Sequence, residues 1–473
     1  MTIQEVLLLA AISILLGILS RKIHRINLLM AASIALMYWL QPDTGLRYLG
    51  FWLPSITLVL ITLSWVLVTS PEMRKMGETL RSLFLIFGVS FLISFLKFLD
   101  PDQVLGFVNI PRFVCSLTFL IAGISLVFLF SLLQKGSAAG LWVGFSIIIM
   151  IFVILKTPAL AVTASRVWRL ATGHSLQLAN AEELVWLGYS YIAFRILHTI
   201  RDKQAGRLPE LRLNEYVAYL VFYPSFVAGP IARVVQILPD LREIRTSLSE
   251  DLLEGSQRIF IGLFKKFVLA DSLALFALSS QNVTQPNFPL GGWILLYAFS
   301  LQIYFDFSGY TDIAIGLARY LNFKLPENFN RPYLKPNLTQ FWSNWHMTLT
   351  NWFRAYFFNP ISRYLRKKKT PAIFILFITQ VSTMVLVGLW HGITINFVIW
   401  GLWHGLGLLF QNRWSDWAKK HLPPPSEKGY QKIRNAVGVF LTFHYVTLGW
   451  IWFVLPSPET SWEFLALLFG GRL

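Results

Sequence analysis

Repeated apolar stretches long enough to cross a lipid bilayer dominate this 473-residue chain and leave little room for any other fold. A spanning helix needs about 20 mostly apolar residues. The clearest runs are Ile3 to Ser20, Phe51 to Val68, Leu83 to Leu99, Phe113 to Leu133, Gly140 to Leu155, Phe260 to Leu278, Trp293 to Leu317, Ala372 to Leu389, Asn396 to Leu409 and Val437 to Leu455. Leu28 to Leu40, Leu184 to Leu197, Val217 to Val227 and Trp462 to Phe469 are shorter or more polar, and read as re-entrant or interfacial pieces. Together they predict an all-α polytopic membrane protein with about 11–13 transmembrane or re-entrant helices. Composition agrees: 55% of residues are hydrophobic and 14% charged, where ordinary soluble domains carry roughly 25% charged residues. The same figures exclude a disordered chain, a disulfide-built scaffold and a coiled coil. Cys115 is the single cysteine and cannot form an internal disulfide.

The formal net charge is +17, from 41 Lys and Arg against 24 Asp and Glu. These cations fall between the apolar runs, so they read as the positive-inside bias and as attraction to anionic lipid headgroups, not as a nucleic-acid surface. Arg21, Lys22 and Arg25 follow the first run instead of preceding it, which speaks against a cleaved signal peptide and puts these charges on the cytoplasmic side. Arg74, Lys75 and Arg81 then fall inside, and Asp100 and Asp102 outside. After Leu155 the alternation fails, because Lys156, Arg166, Arg169, Arg195, Arg201, Lys203, Arg207 and Arg212 crowd both sides of short runs. Half-helices or amphipathic segments are expected there, and irregular backbone at membrane depth survives only where it is buried in protein or lines a cavity. Residues 1–473 read as a single membrane-embedded domain, with 1–155 as peripheral spans and 156–473, richer in Trp, His, Asn and Pro, as the part that carries chemistry. The only low-complexity patch is Pro423-Pro424-Pro425.

Ionisable residues inside apolar runs are expensive, which makes each a functional candidate. They are Asp306, Asp312, His391, His404 and His444. His391 and His404 sit in two copies of Gly-Leu-Trp-His-Gly, and on one continuous helix they would face about 220° apart. Gly392-Ile393-Thr394-Ile395-Asn396 predicts a break between them, with Asn396 able to cap. His391 would then stand at a loop within the bilayer, while His404 reads as a packing histidine. Phe341 to Phe358 reads as an amphipathic helix with His346 on its aromatic face and Asn344, Asn351 and Arg354 largely opposite. On residue grounds alone His346 reads first as a satisfied structural histidine, and His391 stands evenly between packing and chemistry. No Gly-x-Ser-x-Gly elbow or His-Glu-x-x-His zinc helix is present. Cys115, within an apolar run, reads as a packing residue and not an acyl-carrying nucleophile. A neutral imidazole in a nonpolar cavity remains, able to take a hydroxyl proton as that oxygen attacks a carbonyl.

The stretch from Gln302 to Gln411 resembles the membrane-bound O-acyltransferase family in its bacterial branch. The resemblance rests on Tyr304-Phe305-Asp306-Phe307-Ser308-Gly309-Tyr310-Thr311-Asp312, Pro326-Glu327-Asn328-Phe329-Asn330-Arg331-Pro332-Tyr333 and Phe341-Trp342-Ser343-Asn344-Trp345-His346, followed by Trp352-Phe353-Arg354. It continues in Gly388-Leu389-Trp390-His391-Gly392 and Trp400-Gly401-Leu402-Trp403-His404-Gly405, with an upstream match at Phe222-Tyr223-Pro224-Ser225-Phe226-Val227-Ala228-Gly229-Pro230-Ile231. It implies a ring of helices around a central tunnel, His391 as catalytic base and His346 as the second important histidine. Asn344, Trp345, Asn351, Arg354 and Trp390, beside these histidines in the sequence, are the candidates for binding substrate.

An acyl thioester, acetyl-CoA or an acyl carrier on the cytoplasmic side, would be the donor co-substrate, with no bound cofactor and no metal. A cell-envelope polysaccharide hydroxyl would be the acceptor and acetyl the group moved, at the bacterial cytoplasmic membrane. An extracytoplasmic acyltransferase would be a potential partner. D-alanyl transfer to teichoic acid from a carrier protein is the alternative. A proton-coupled transporter or exporter using His391, Asp306 and Asp312 is a more distant one. The sequence departs from the branch at Ala355, where a carboxylate is usual, which weakens any carry-over of acceptor specificity. The basic run Arg363, Arg366, Lys367, Lys368 and Lys369 reads as a cytoplasmic anchor or a docking patch for an acidic carrier, and Glu327 as structural.

Overall fold

The computed structural model describes residues 2–42, 46–99, 111, 113–133, 138–286, 288–421 and 428–471. Asp100, Asp102 and Pro423-Pro424-Pro425 lie outside them. The described residues hold helices and no strands. They form two compact units, one of Met1–Gln257 with Ala314–Leu325, the other of Arg258–Ile313 with Pro326–Leu473.

The first unit contains α1 (Ile3–Leu19), α2 (Arg25–Trp39), α3 (Leu49–Val68), α4 (Met76–Leu99), α5 (Phe113–Leu133), α6 (Ala138–Lys156), α7 (Pro158–Thr172) and α8 (Tyr189–Gln204). The shorter α9 (Leu213–Leu220), α10 (Tyr223–Phe226) and α11 (Val234–Arg242) follow, and α12 (Leu248–Leu263) starts in this unit. The second contains α13 (Asp271–Ala274), most of α14 (Pro289–Tyr320), α15 (Leu338–Trp342), α16 (Met347–Phe353), α17 (Asn359–Lys367) and α18 (Ala372–His391). It ends with α19 (Ile395–His421), α20 (Lys428–Gly449), α21 (Ile451–Val454) and α22 (Pro458–Leu468). Among the described residues six helical segments are long and apolar enough to cross a membrane: Leu49–Val68, Met76–Phe95, Ala139–Lys156, Pro289–Tyr320, Ala372–His391 and Gln431–Val454. Ile3–Leu19, Arg25–Trp39 and Cys115–Phe130 are shorter apolar helices.

Local chemistry sets several ends. At the start of α1 the Thr2 hydroxyl accepts from the Glu5 amide at 3.2 Å and the Glu5 carboxylate accepts from the Thr2 amide at 2.8 Å, a reciprocal cap. Pro158 opens α7, and Gly173 closes it at φ 73°, a left-handed turn that suits a residue without Cβ. In the first unit the buried Asp251 accepts from Arg21 at 2.7 Å, from the Thr246 hydroxyl at 2.7 Å and from the Asn322 amide at 2.8 Å. Burying one carboxylate is tolerable only with such partners.

In the second unit, a seven-residue π-helical stretch, Phe264–Ala270, continues α12. Phe260 to Leu278 is therefore not one plain span, because the helix widens at Phe264. Close by, a Cβ built on Gly262 would stand 2.6 Å from the Gly309 carbonyl oxygen, so the two backbones touch where neither residue has a side chain. Lys266 is ion-paired with Asp306, Lys265 reaches Asp312 at 2.6 Å, and Arg258 reaches Asp312 at 2.6 Å and also pairs with Glu327. Both in-run aspartates are thus committed to cations, as is Glu327.

Three local expectations change. The stretch from Phe341 to Phe358 is not one helix: α15 ends at Trp342, His346 stands at φ 42° before α16, and a π-helical turn, Arg354–Phe358, leads into α17. Backbone bonds from the Pro326–Asn330 loop hold the break open, with Met347 N donating to Asn328 O at 2.9 Å and Asn330 N to Asn344 O at 3.0 Å. Asn396 caps nothing; it lies inside α19 and donates to the Leu455 carbonyl at 2.7 Å. Cys115 is exposed on α5 instead of packed within the unit.

Candidate active site

The expected break between the two pentapeptides exists: α18 ends at His391 and α19 begins at Ile395. The two helices return on one another as a hairpin. A Cβ on Gly401 would come within 2.5 Å of the Val385 Cα, and one on Gly405 within 2.9 Å of the Val381 Cα. The glycines of the second pentapeptide thus let the backbones approach. This contact sets where His391 stands.

His391 is half-buried in a shell of rings from three helices. Trp390 lies 4.5 Å away between centroids, Phe453 of α21 4.7 Å, Trp400 of α19 5.7 Å, and Phe397 stacks at 5.9 Å. Trp390 also contacts His346, at 5.9 Å, so one indole touches both histidines. His346 is 3% exposed and packs 4.7 Å from Phe307 of α14. Its segment lies outside the helices able to cross a membrane. Burial pushes its pKa from the ordinary 6.5 down to about 3, so it is neutral near neutral pH.

The other expected site residues divide. Trp345 is buried against Phe341, Phe329, Tyr333 and Trp450 at centroid distances of 5.5, 5.1, 5.7 and 5.2 Å, so it supports the neighbouring His346 and offers little surface to a substrate. The Asn344 amide donates to the Gln340 carbonyl at 2.8 Å. Asn351 and Arg354 are exposed. His404 is fully buried among Trp342, Trp400 and Tyr445, and neither of its ring nitrogens has a hydrogen-bond partner among the described residues. His444 belongs to a separate pair: its Nδ1 faces the Phe440 carbonyl and its Nε2 the Tyr297 hydroxyl, each at 2.8 Å. Among the described residues no group of three or more His, Cys, Asp or Glu could hold a metal ion.

A cavity of about 230 Å³ lies beside α18. One wall is Gln380, Thr383, Met384 and Val387, a single face of α18 at helical spacing. The facing wall brings Thr350, Phe353, Arg354 and Phe358 from α16 and the π turn. Trp342, Leu408 and Asn412 complete it, with Thr339. Of these residues Arg354 alone is a substrate-binding candidate from sequence, while Trp342 and Phe353 stand in the motifs quoted above. The signal available was Gln380-x-x-Thr383, two polar side chains one helical turn apart inside an apolar run. Phe307 was likewise overlooked, because its motif drew notice for Asp306.

The model of the MBOAT, membrane-bound O-acyltransferase family matches residues 144–455, more than half of the chain. The chain belongs to this family. It is 30% identical over 276 residues to the teichoic acid D-alanyltransferase of Bacillus subtilis, covering 56% of this chain and 67% of that one. It is 31% identical over 294 residues to a probable alginate O-acetylase of Pseudomonas aeruginosa, covering 61% and 52%. Against the peptidoglycan O-acetyltransferase of Helicobacter pylori it is 31% identical over 260 residues, covering 54% and 46%. The match thus spans about half the length of the last two relatives.

Proposed function

We propose that this protein is an integral membrane O-acyltransferase that moves an acyl group, acetyl on this reading, from a thioester donor to a hydroxyl of a cell-envelope polysaccharide. The observation that carries the proposal is the end of α18, where His391 stands in an aromatic enclosure and shares Trp390 with His346. Three relatives named for transfer to teichoic acid, alginate and peptidoglycan support the class of acceptor.

In this mechanism a nitrogen of neutral His391 takes the acceptor hydroxyl proton as the oxygen attacks the thioester carbonyl carbon. The tetrahedral intermediate collapses with cleavage of the carbon–sulfur bond, and the imidazolium returns the proton to the departing thiolate. The ring shell excludes water, which would otherwise hydrolyse the thioester. A neutral His346 contributes hydrogen bonding that positions the donor, not positive charge. Arg354, with Asn351 and Asn344 nearby in sequence, orients donor groups, and Trp390 holds the two histidines in register. The whole chain acts as one acyltransferase domain of a bacterial cytoplasmic membrane, with residues 156–473 carrying the chemistry. The exposed cations of α17 and its end, Arg363, Arg366, Lys367, Lys368 and Lys369, suit an acidic acyl carrier or anionic lipid on the cytoplasmic side. An extracytoplasmic partner could receive the group before the polysaccharide does. The same basic surface favours the second reading, D-alanyl transfer from a carrier protein.

Transfer from a radiolabelled acyl thioester in membrane vesicles tests the mechanism. His391→Ala at matched membrane levels should lower the rate by roughly 10² to 10⁴, the usual contribution of a general base. A correctly inserted variant that transfers at the native rate would remove His391 from the mechanism.

A further inference from the structure

At one end of the first unit three loops meet around a separate cavity of about 170 Å³. Asn27 brings the first turn of α2 to it, Met73 the turn before α4, and Arg212 and Asn214 the start of α9. The same loops carry Arg21, Lys22 and Arg25, then Arg74 and Lys75, then Arg207. By the positive-inside rule such an end faces the cytoplasm. The volume is below the roughly 300–1,000 Å³ of sites that enclose a whole drug-sized ligand, so the cavity suits one group of a larger molecule or a small ion.

What converges on this cavity is a set of donors. Among the described residues its lining holds two cations, Arg81 and Arg212, and one acid, Glu78, all three exposed. Neither guanidinium has a hydrogen-bond or ion-pair partner among the described residues. Nearby charges are already spent: Glu215 accepts from Arg242 at 2.7 and 2.9 Å, and Arg74 donates to the Val66 and Thr69 carbonyls at 2.6 and 2.7 Å. Thr79, 8% exposed, lines the cavity from the first turn of α4, and its hydroxyl has no partner among the described residues. A polar group at that depth calls for one. The Asn27 side-chain oxygen accepts from the Asn214 amide at 2.8 Å, which orients both amides and leaves the Asn27 nitrogen as a further donor. Two guanidiniums, a hydroxyl and an amide fit a group that accepts from several donors at once, and that group is a phosphate. The positive end of the α4 dipole adds to the attraction.

The surroundings separate a lipid phosphate from a free one. Arg81, Leu85 and Leu92 share one face of α4 at helical spacing, and Phe84 and Leu92 are exposed, at 61% and 54%. The segment that carries them, Met76–Phe95, is long and apolar enough to cross a membrane. An open apolar stripe therefore leads from the cavity along the course that acyl chains take in a bilayer.

We infer that this cavity binds the phosphate of an anionic phospholipid of the cytoplasmic leaflet. Arg81 and Arg212 grip the phosphate oxygens, Thr79 and Asn27 donate to them, and the acyl chains lie along the Phe84 and Leu92 face of α4. All these residues belong to the first unit, whereas His346 and His391 belong to the second, so the inference goes beyond the acyltransferase reading and does not depend on it.

The test is lipid retention by the full chain in non-ionic detergent, read by native mass spectrometry, with dioleoyl phosphatidylglycerol, dioleoyl phosphatidylcholine and inorganic phosphate as probes. The native protein should hold a single phosphatidylglycerol about tenfold more tightly than phosphatidylcholine, whose choline would meet the two arginines. Arg81→Gln combined with Arg212→Gln should abolish that preference at an unchanged melting temperature, since both side chains are exposed. Thr79→Val should weaken phosphatidylglycerol several-fold, and Glu78→Gln should strengthen it. Lys22→Gln removes an exposed cation that does not line the cavity and should change nothing, which separates a built site from the general pull of a basic surface. Equal retention of the two lipids by the native protein, or a preference that survives the double arginine substitution, would overturn the site. Saturable binding of inorganic phosphate through the same arginines, with no lipid adduct, would assign the cavity to a free ion and overturn the lipid.

Discussion

His346 combines left-handed backbone at φ 42°, burial to 3% exposure and a ring in contact with Trp390. A non-glycine residue keeps such a backbone only where its surroundings over-determine it. Its neutrality has a measurable consequence. With a folded pKa near 3 against an ordinary 6.5, the unfolded chain binds more protons than the folded one between those values, so stability falls as pH drops below 6.5. At pH 5 this single group contributes a loss of no more than about 2 kcal/mol. Thermal unfolding of the detergent-solubilised protein should therefore show a melting temperature that drops less in His346→Gln than in the native protein between pH 7 and pH 5. Parallel curves would mean that His346 is solvated or charged. At this scale the sequence made the two candidate histidines legible, because Trp-His in an amphipathic segment and Leu-Trp-His at the end of a span are unusual and costly patterns. It did not reveal what surrounds them. Phe307, Phe397 and Phe453 reach these rings from three other helices, and no local spacing encodes such contacts.

Helix breaks, more than helices, shape the site. The apolar runs forecast α1, α3 and α18 closely, since twenty apolar residues in a row have few alternatives. The run from Phe341 to Phe358 misled, because its amphipathic period continues across a backbone that does not. The loop residue Asn328 makes the difference: its side-chain oxygen accepts from the Thr348 amide at 3.2 Å and from the Thr348 hydroxyl at 2.9 Å, while its carbonyl takes Met347 N. These bonds hold α16 one turn after the break and keep His346 at the bend. Asn328→Ala should cost roughly 1–3 kcal/mol for the bonds left unmade at a fully buried position. It should also depress acyl transfer by more than its loss of stability explains, because His346 is released. Unfolding and transfer rate measured on the same preparation check this, and a destabilised variant with native turnover per folded molecule would disconnect the break from catalysis. The two π-helical stretches, at Phe264–Ala270 and Arg354–Phe358, were equally invisible in the sequence. The wider i→i+5 turn leaves composition untouched, yet the first carries Lys265 and Lys266, paired with Asp312 and Asp306, and the second opens with Arg354 beside the cavity.

For the molecule as a whole, composition and charge established a polytopic membrane protein, and the failure of charge alternation after Leu155 located the irregular region. Short helices such as α9, α10 and α11 lie in that region. The carboxylates that looked like a proton relay, Asp306 and Asp312, are paired with Lys266, Lys265 and Arg258, which removes the main support for a transporter. What the fold class alone could not distinguish, transport from transfer, is a matter of whether a covalent ester is made. The most direct measurement is mild-base release of esterified acids from envelope polysaccharide of cells that express the native protein or His391→Ala at matched membrane levels. The account predicts acetate released from cells with the native protein and lost with His391→Ala. Release of the same acid in equal amount from both would contradict it.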